Sequence, residues 1–412
     1  MNYRIAIFSQ ISQVSKSDWN HLAKGAGPFL QYDFLDALEQ TGCCSSETGW
    51  EPCHVAIFSD DKMVGAIPGY LKTHSYGEYV FDHAWANAYH QHGLSYYPKW
   101  IAAIPFTPVT GARLLTHNES LVTPALLNDI NITLQTYTKS AYDEALSSMH
   151  WLFTSQEQQA LLTQDSANLV RHAVQFQWHN YNYSQFDDFL GALTSRKRKD
   201  IKKLRRKHQE AGINFSYHTG DEIQTDTLAF FIECYQATYL KRSGHTGYLN
   251  DAFFSSLHND MRDNMLIVVA HQNQQPVASA LFFYDTTGLY GRYWGALKEI
   301  DGLHFACCYF EGIEFAIANK LPLFNPGTQG EHKILRGFEP IYCYSNHQLF
   351  EPAFANAVAQ FLQQETQHLA NYFNQARNAL PFNQEFVPLL KTTRVKHPND
   401  DTHNHNEKNY EI

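Results

Sequence analysis

Residues 324–340 read FNPGTQGEHKILRGFEP. Proline and glycine make this a turn-rich loop, and Glu331, His332, Lys333 and Arg336 crowd ionisable groups into it. Such a set could serve a group transfer: it can take up a proton, steady a developing negative charge and hold a donor and an acceptor together. Glu331 or His332 is the expected proton acceptor. Gly327 and Gly330 let backbone approach a ligand closely. Lys333 and Arg336 suit a carboxylate or phosphate, with Thr328 and Gln329 beside them in the lining. The alternative is a rigid corner in which Glu331 pairs with Lys333 or Arg336.

A second concentration of charge lies at residues 196–207, where nine basic residues meet one acid, Asp200, in a chain of net charge −10. Read as a helix, 195–212 docks through Leu190, Leu193, Ile201, Leu204 and Ala211. It then presents Arg198, Lys202, Lys203, Arg205 and Arg206 outward. An acidic protein with one basic patch is expected to hold an anion there: the phosphates of CoA, of a nucleotide-linked donor or of tRNA. The alternative is a face neutralised by the chain's own acids. No aromatics interleave with these charges, which argues against base stacking but leaves tRNA open.

The third cluster is FDHAWANAYHQH, residues 81–92. Its His83, His90 and His92 lack the spacing of zinc-binding helices, so no metal is expected. His83 and Trp85 are candidates for a wall facing the acceptor, and a structural cluster is the alternative. Arg292 and Trp294 in YGRYWGA read as pocket lining or as sheet packing. The seven cysteines form no C-x-x-C pair. They read as reduced thiols of a cytoplasmic protein, with Cys234, Cys307 and Cys308 filling core. No apolar run is long enough to span a membrane, and the start does not read as a secretory signal.

Strands and helices must position these residues. CHVAIFSDDKMVGAIPGYLKTHSYGEYVFDHAW (53–85) and LIVVAHQNQQPVASALFFYDTTGLYGRYWG (266–295) both read as strand, polar turn, strand, turn, strand. VFDHAW at 80–85 aligns with LYGRYW at 289–294. GLSYYPKW from Gly93 aligns with GLHFACCYF from Gly302, and FTPVTG from Phe106 with FNPGTQG. Preserved order predicts a duplicated domain: a meander, a helix (303–320 in the second copy), a strand and a loop. The chain is expected to open on a strand around Ile5 and Ile7, then a capped helix. It should close on an amphipathic helix at 352–380 and a polar tail.

Four stretches carry a resemblance to the FemAB-like predicted N-acyltransferases, bacterial proteins labelled peptidoglycan-biosynthesis or GNAT-family. They are SRKRKDIKKLRRKHQEAG (195–212), PFTPVTGARLL (105–115), YGRYWGA (290–296) and the 324–340 loop. The resemblance spans roughly residues 1–385 and implies an α+β fold of tandem GNAT-like domains with mixed, largely antiparallel sheets. The implied units are 1–165, 166–385 with the basic helix 195–212, and a disordered polar tail at 386–412. It further implies an N-acyltransferase without a tightly bound cofactor. The co-substrate would be an acyl-CoA such as acetyl-CoA, or a similar activated carrier, and the acceptor an amine. An aminoacyl-tRNA-dependent transferase acting on a peptidoglycan precursor and a non-catalytic binding module are the alternatives. Two departures stand out. The turn LKEIDGLHF (297–305) holds one glycine where acetyl-CoA enzymes have several. No pair of heptad-patterned helices marks the hairpin insert of tRNA-dependent relatives.

Overall fold

The computed structural model describes residues 3–328 and 330–394. In chain order the first half contributes β1 (Arg4–Phe8), β2 (Trp50–Pro52), β3 (His54–Ser59), β4 (Lys62–Ile67), β5 (Gly69–Lys72), β6 (Lys99–Ala102), β7 (Ser148–Thr154) and β8 (Leu169–His179). The second contributes β9 (Ile213–Thr219), β10 (Met265–Gln272), β11 (Gln275–Asp285), β12 (Gly288–Ala296), β13 (Leu323–Asn325) and β14 (Glu339–Leu349). A small sheet, β1-β3-β4, and a large one, β2-β5-β6-β7-β14-β8-β13-β12-β11-β10-β9, hold them all. One bent hairpin joins the two sheets. Its strands pass from β2 to β3 at Cys53 and from β4 to β5 at Pro68, where Cys53 N–H donates to Gly69 O at 2.8 Å. Proline has no N–H to give a ladder, so the strand breaks there.

The duplication is real, and its register differs from the expected one. In the first half β1, β3, β4–β5, β6 and β7 follow the same order as β9, β10, β11, β12 and β13, and the last pair is parallel in both. The counterpart of β12 is therefore β6, not residues 80–85. VFDHAW instead leads into a helix, His83–Gln91, and the Gly93 stretch is loop and strand rather than helix. The counterpart of the helix after β12 is Pro124–Tyr142, capped by Thr123 and buried along Leu127, Ile130, Leu134 and Thr138. FTPVTG follows β6, so it corresponds to 297–302 and not to FNPGTQG. Short strands with similar turn residues align easily. The 26-residue span between β5 and β6, absent from the second half, shifted the match.

The two halves exchange their last strands. β8 leaves β7 and pairs with β13, and β14 leaves β13 and pairs with β7. β8 and β14 then pair with each other from Leu169↔His347 to Gln177↔Glu339. Core aromatics cross between the halves as well. Phe29 and Phe34 meet Phe283 edge-on, at 5.3 and 5.8 Å. Burying each such ring contributes roughly 1.5–3 kcal/mol. The chain opens as read, with β1 and then helix Lys16–Leu22 capped by Ser15. The amphipathic helix Pro352–Asn378 also stands where expected. Residues 386–394 depart from the expected tail. Leu390 is buried, and Thr392 N–H donates to Glu339 Oε2 at 3.1 Å. Residues 395–412, with His397, His403 and His405, lie outside the described residues.

Candidate functional site

β12 and β13 are paired only at Leu289↔Phe324 and Tyr290↔Asn325. Past that point they part. β12 carries a bulge, since Leu281 faces Tyr293 and Phe282 faces Gly291, leaving Arg292 as the extra residue. A bulge bends its strand and re-aims a side chain. The chain after β13 turns away at Pro326, with Gly327 at φ +83° and its N–H held by Asn325 Oδ1 at 2.9 Å. Between the two strands lies a cleft of about 450 Å³, lined among others by Arg292, Tyr293, Trp294, Gly327, Thr328, His332 and Lys333.

Two helices supply further walls. Thr225–Ser243 ends on Gly244 in the left-handed region, which its lack of a Cβ allows. It packs so tightly on β12 that a Cβ on Gly295 would meet Cys234 O at 1.8 Å. That contact fixes Thr238, Tyr239 and Arg242 in the cleft. The helix running from Leu303 to Ala318 contains a π-turn at Ala306–Phe310. Such turns are rare and cluster at functional sites. Here it carries Tyr309, whose Oη shares a 2.8 Å hydrogen bond with His332 Nε2. His304, from the same helix, also faces the cleft.

The first half contributes Tyr79 and Pro108. Tyr79 has φ +60° and Phe106 φ +55°, conformations that cost bulky residues on the order of 1–3 kcal/mol. Both are held from outside. Phe106 O accepts from Arg292 Nη2. Tyr79 sits between Glu78 and Asp82, and both carboxylates receive hydrogen bonds from Lys99 Nζ. That triad is almost wholly buried.

Electrostatically the cleft is one-sided. Arg242, Arg292 and Lys333 line it, and no aspartate or glutamate among the described residues does. Lys333 is 2% exposed. Its Nζ donates to Gly327 O at 2.7 Å and Thr328 O at 2.9 Å. Burial, with Arg292 nearby, brings its pKa down to about 7. A neutral amine can keep both carbonyl bonds and still present a lone pair. Burial and the surrounding cations also push His304 down to about 4, and His332 downward. Both imidazoles are therefore neutral at physiological pH.

The family comparison agrees with this frame. The FemAB-like family, described as peptidoglycan biosynthesis/recognition, matches residues 10–384. The chain belongs to the FemAB-like family. No curated protein matches it. Among solved structures, FemX aligns at TM-score 0.52 and 11% identity, over 87% of this chain and all of the FemX chain. L-PGS from Bacillus licheniformis aligns at 0.47 and 11%, over 84% and 97%. A tandem GNAT protein from the clavulanic acid pathway aligns at 0.42 and 9%, over 85% and 99%. The fold is the α+β, tandem GNAT-like one. No helix among the described residues is long and apolar enough to cross a membrane.

The FemAB-like chain gathers part of the expected site. Arg292, Trp294, Thr328, His332 and Lys333 line the cleft. Gly330 borders a neighbouring cavity, and a Cβ there would strike the His332 ring at 2.4 Å. Gln329 lies outside the described residues. Three expectations need correction. Glu331 is exposed and lies beside Tyr372, whose pKa burial and the Glu331 charge raise, rather than in the cleft lining. Arg336 stacks on Phe305 at 3.4 Å and donates to His332 O, so it braces the loop. His83 is exposed, and Trp85 is buried against His347 at 5.0 Å; neither lines the cleft.

The basic helix, Ser195–Glu210, is also less free than expected. Lys202 pairs with Asp187, Arg205 with Glu314 and Arg206 with Glu210. Arg198 donates to Gly191 O and Leu193 O. Of the five, Lys203 alone has no protein partner among the described residues. Its stripe also breaks earlier, because Leu190 lies in a separate helix, Phe186–Ala192. Sequence reasoning missed Tyr79, Arg242, His304 and Tyr309. Tyr309 has the helical spacing of a core residue, and Arg242 looks like an ordinary basic residue before a C-cap glycine. Among the described residues no group of His, Cys, Asp and Glu is arranged to hold a metal. All seven cysteines are unpaired, with Cys234 and Cys307 buried and Cys308 partly so.

Proposed function

We propose that this protein is an N-acyltransferase that takes an acyl group from a phosphate-bearing activated carrier and delivers it to an amine. The observation that carries the reading is Lys333: a buried lysine with a pKa of about 7, at the base of a cationic cleft, between two strands that part. An acyl carbonyl lying along the bulged β12 would meet Lys333 and His332 near Thr328. The neutral Lys333 amine would take a proton from the acceptor's ammonium, directly or through water. The free amine would then attack the acyl carbonyl. The bond from the acyl carbon to the carrier's sulfur or oxygen would break as the C–N bond forms, and the proton would return from Lys333 to the leaving thiol or hydroxyl. Arg242 and Arg292 would hold the donor's phosphates. The seven free thiols support a reducing, cytoplasmic setting.

The donor is either an acyl-CoA or an aminoacyl-tRNA. Against the usual CoA arrangement, Glu299 and Asp301 stand in the turn before Leu303, paired with Lys241 and Lys207. In favour of aminoacyl-tRNA, and of a cell-wall precursor as acceptor, stands the family match. Calorimetric titration of the full chain with acetyl-CoA and with aminoacyl-tRNA separates them. The donor that binds should do so more weakly at high salt and in Arg242→Ala. Arg206→Gln, on the exposed helix, should change nothing. Binding of neither donor, or binding indifferent to Arg242, sinks the reading and leaves the non-catalytic module.

A further inference from the structure

A second cavity, of about 380 Å³, adjoins the cationic cleft and shares Tyr79 and Thr328 with it. Val80, Phe81, Phe153, Val174, Phe176 and Leu369 make its wall mainly apolar. Its charges are already engaged. Arg171 grips Glu365 with two bonds, at 2.9 and 2.7 Å, and gives a third to Phe81 O at 2.8 Å. Burial lowers the pKa of His172 and favours its neutral form. One acceptor in the wall lacks a partner. Gln175 is 3% exposed, its Nε2 donates to Pro108 O at 3.0 Å, and its Oε1 has no partner. A buried amide oxygen in that state is unfavourable until an N–H or O–H meets it. At the rim, Phe81 holds an apolar ring 58% exposed to solvent.

We propose that this cavity binds an uncharged, apolar amino-acid side chain together with an adjoining amide N–H, so that one substrate is a hydrophobic, peptide-like molecule. The volume suits a small ligand whose apolar bulk is oriented by few polar groups. The Gln175 Oε1 acceptor takes the amide proton, and Phe81 is covered when the side chain enters. A charged side chain would lose its water against a wall that offers no free counter-charge. The cleft beyond Thr328 has the opposite character: Arg242, Arg292 and Lys333 line it, and among the described residues no acid does. The proposal concerns binding and stands apart from any transfer across Thr328.

The test uses the full chain and three probes: N-acetyl-L-phenylalaninamide, N-acetyl-L-leucinamide and N-acetyl-L-lysinamide. Dissociation constants come from ligand-observed NMR, with no acyl donor present. The phenylalanine and leucine probes should bind at least about tenfold more tightly than the lysine probe. Ala173→Trp, at an exposed position of β8 in the cavity wall, should abolish that binding. Gln175→Met should weaken it severalfold, and Arg206→Gln, on the exposed helix and outside the cavity wall, should leave it unchanged. Equal constants for the three probes, unchanged binding in Ala173→Trp, or no saturable binding of the phenylalanine probe to folded wild type would each overturn the proposal. Because no transfer is measured, failure of the acyltransferase reading would show separately.

Discussion

The parallel pairs β6–β7 and β12–β13 occupy the same place in the two halves and meet different fates. In the second half β12 and β13 part after Asn325, and the gap is a cleft. In the first half the pairing runs through Ala102↔Trp151, and the chain then fills its own gap. Gly111 N–H donates to Phe153 O at 3.0 Å, and Ser155 N–H to Gly111 O at 3.1 Å, so the edge of β7 is satisfied internally. Arg113, fully buried, plugs what is left by donating to Leu152 O and Val109 O. Both halves thus bury a cation without a carboxylate partner. In one half it rests beside open space, and in the other it is packing. The duplicated fold supplies the gap, and the side chains that enter it decide whether chemistry is available.

The comparison breaks if Lys333 proves dispensable. Lys333→Met should lower turnover by about 10²–10⁴, the range for losing a positioned proton acceptor. The wild-type rate should rise with pH through about 7, and the variant's should be flat there. Stability gives an independent check. The folded pKa of Lys333 is depressed from 10.5 to about 7. Between those values the unfolded chain binds a proton that the folded chain does not. The lysine's contribution to stability therefore rises with pH across that window and vanishes in Lys333→Met, as measured by urea unfolding.

Next in size is Lys99→Met. It would leave Glu78 and Asp82 buried without their cation, a loss of about 3–5 kcal/mol in urea unfolding. Because these carboxylates flank Tyr79, the wall between cleft and cavity should loosen as well. A stable variant with unaltered hydrogen exchange at residues 78–82 would show that the triad does not hold that wall. Arg113→Met is the control for the first half. It should cost about 1–3 kcal/mol through unpaired carbonyls and leave turnover within a few-fold of wild type. A large loss of turnover there would erase the distinction between the halves. The smallest effect belongs to Glu331→Gln, which should turn over normally because its carboxylate lies beside Tyr372 and not in the cleft lining.

The sequence by itself determined a good deal. Period-two strands, the capped first helix, the YGRYWGA strand and the turn at 326–330 are local features, written in backbone preferences and short-range periodicity. They sufficed for the fold class, for the duplication, and for placing His332, Lys333 and Thr328 together. What only the tertiary structure decided is non-local. Whether Glu331 or Lys333 faces the cleft depends on which side of a single turn packs against β12. Whether Arg205 is free depends on Glu314, 109 residues away in the chain. Tyr79 enters the site because a buried triad holds its loop, and nothing in the spacing of Glu78, Asp82 and Lys99 announces that triad. The same cation type became a plug at Arg113 and a cleft base at Lys333. Burial, desolvation and the path of the neighbouring strand set that difference, and those are properties of the packed chain.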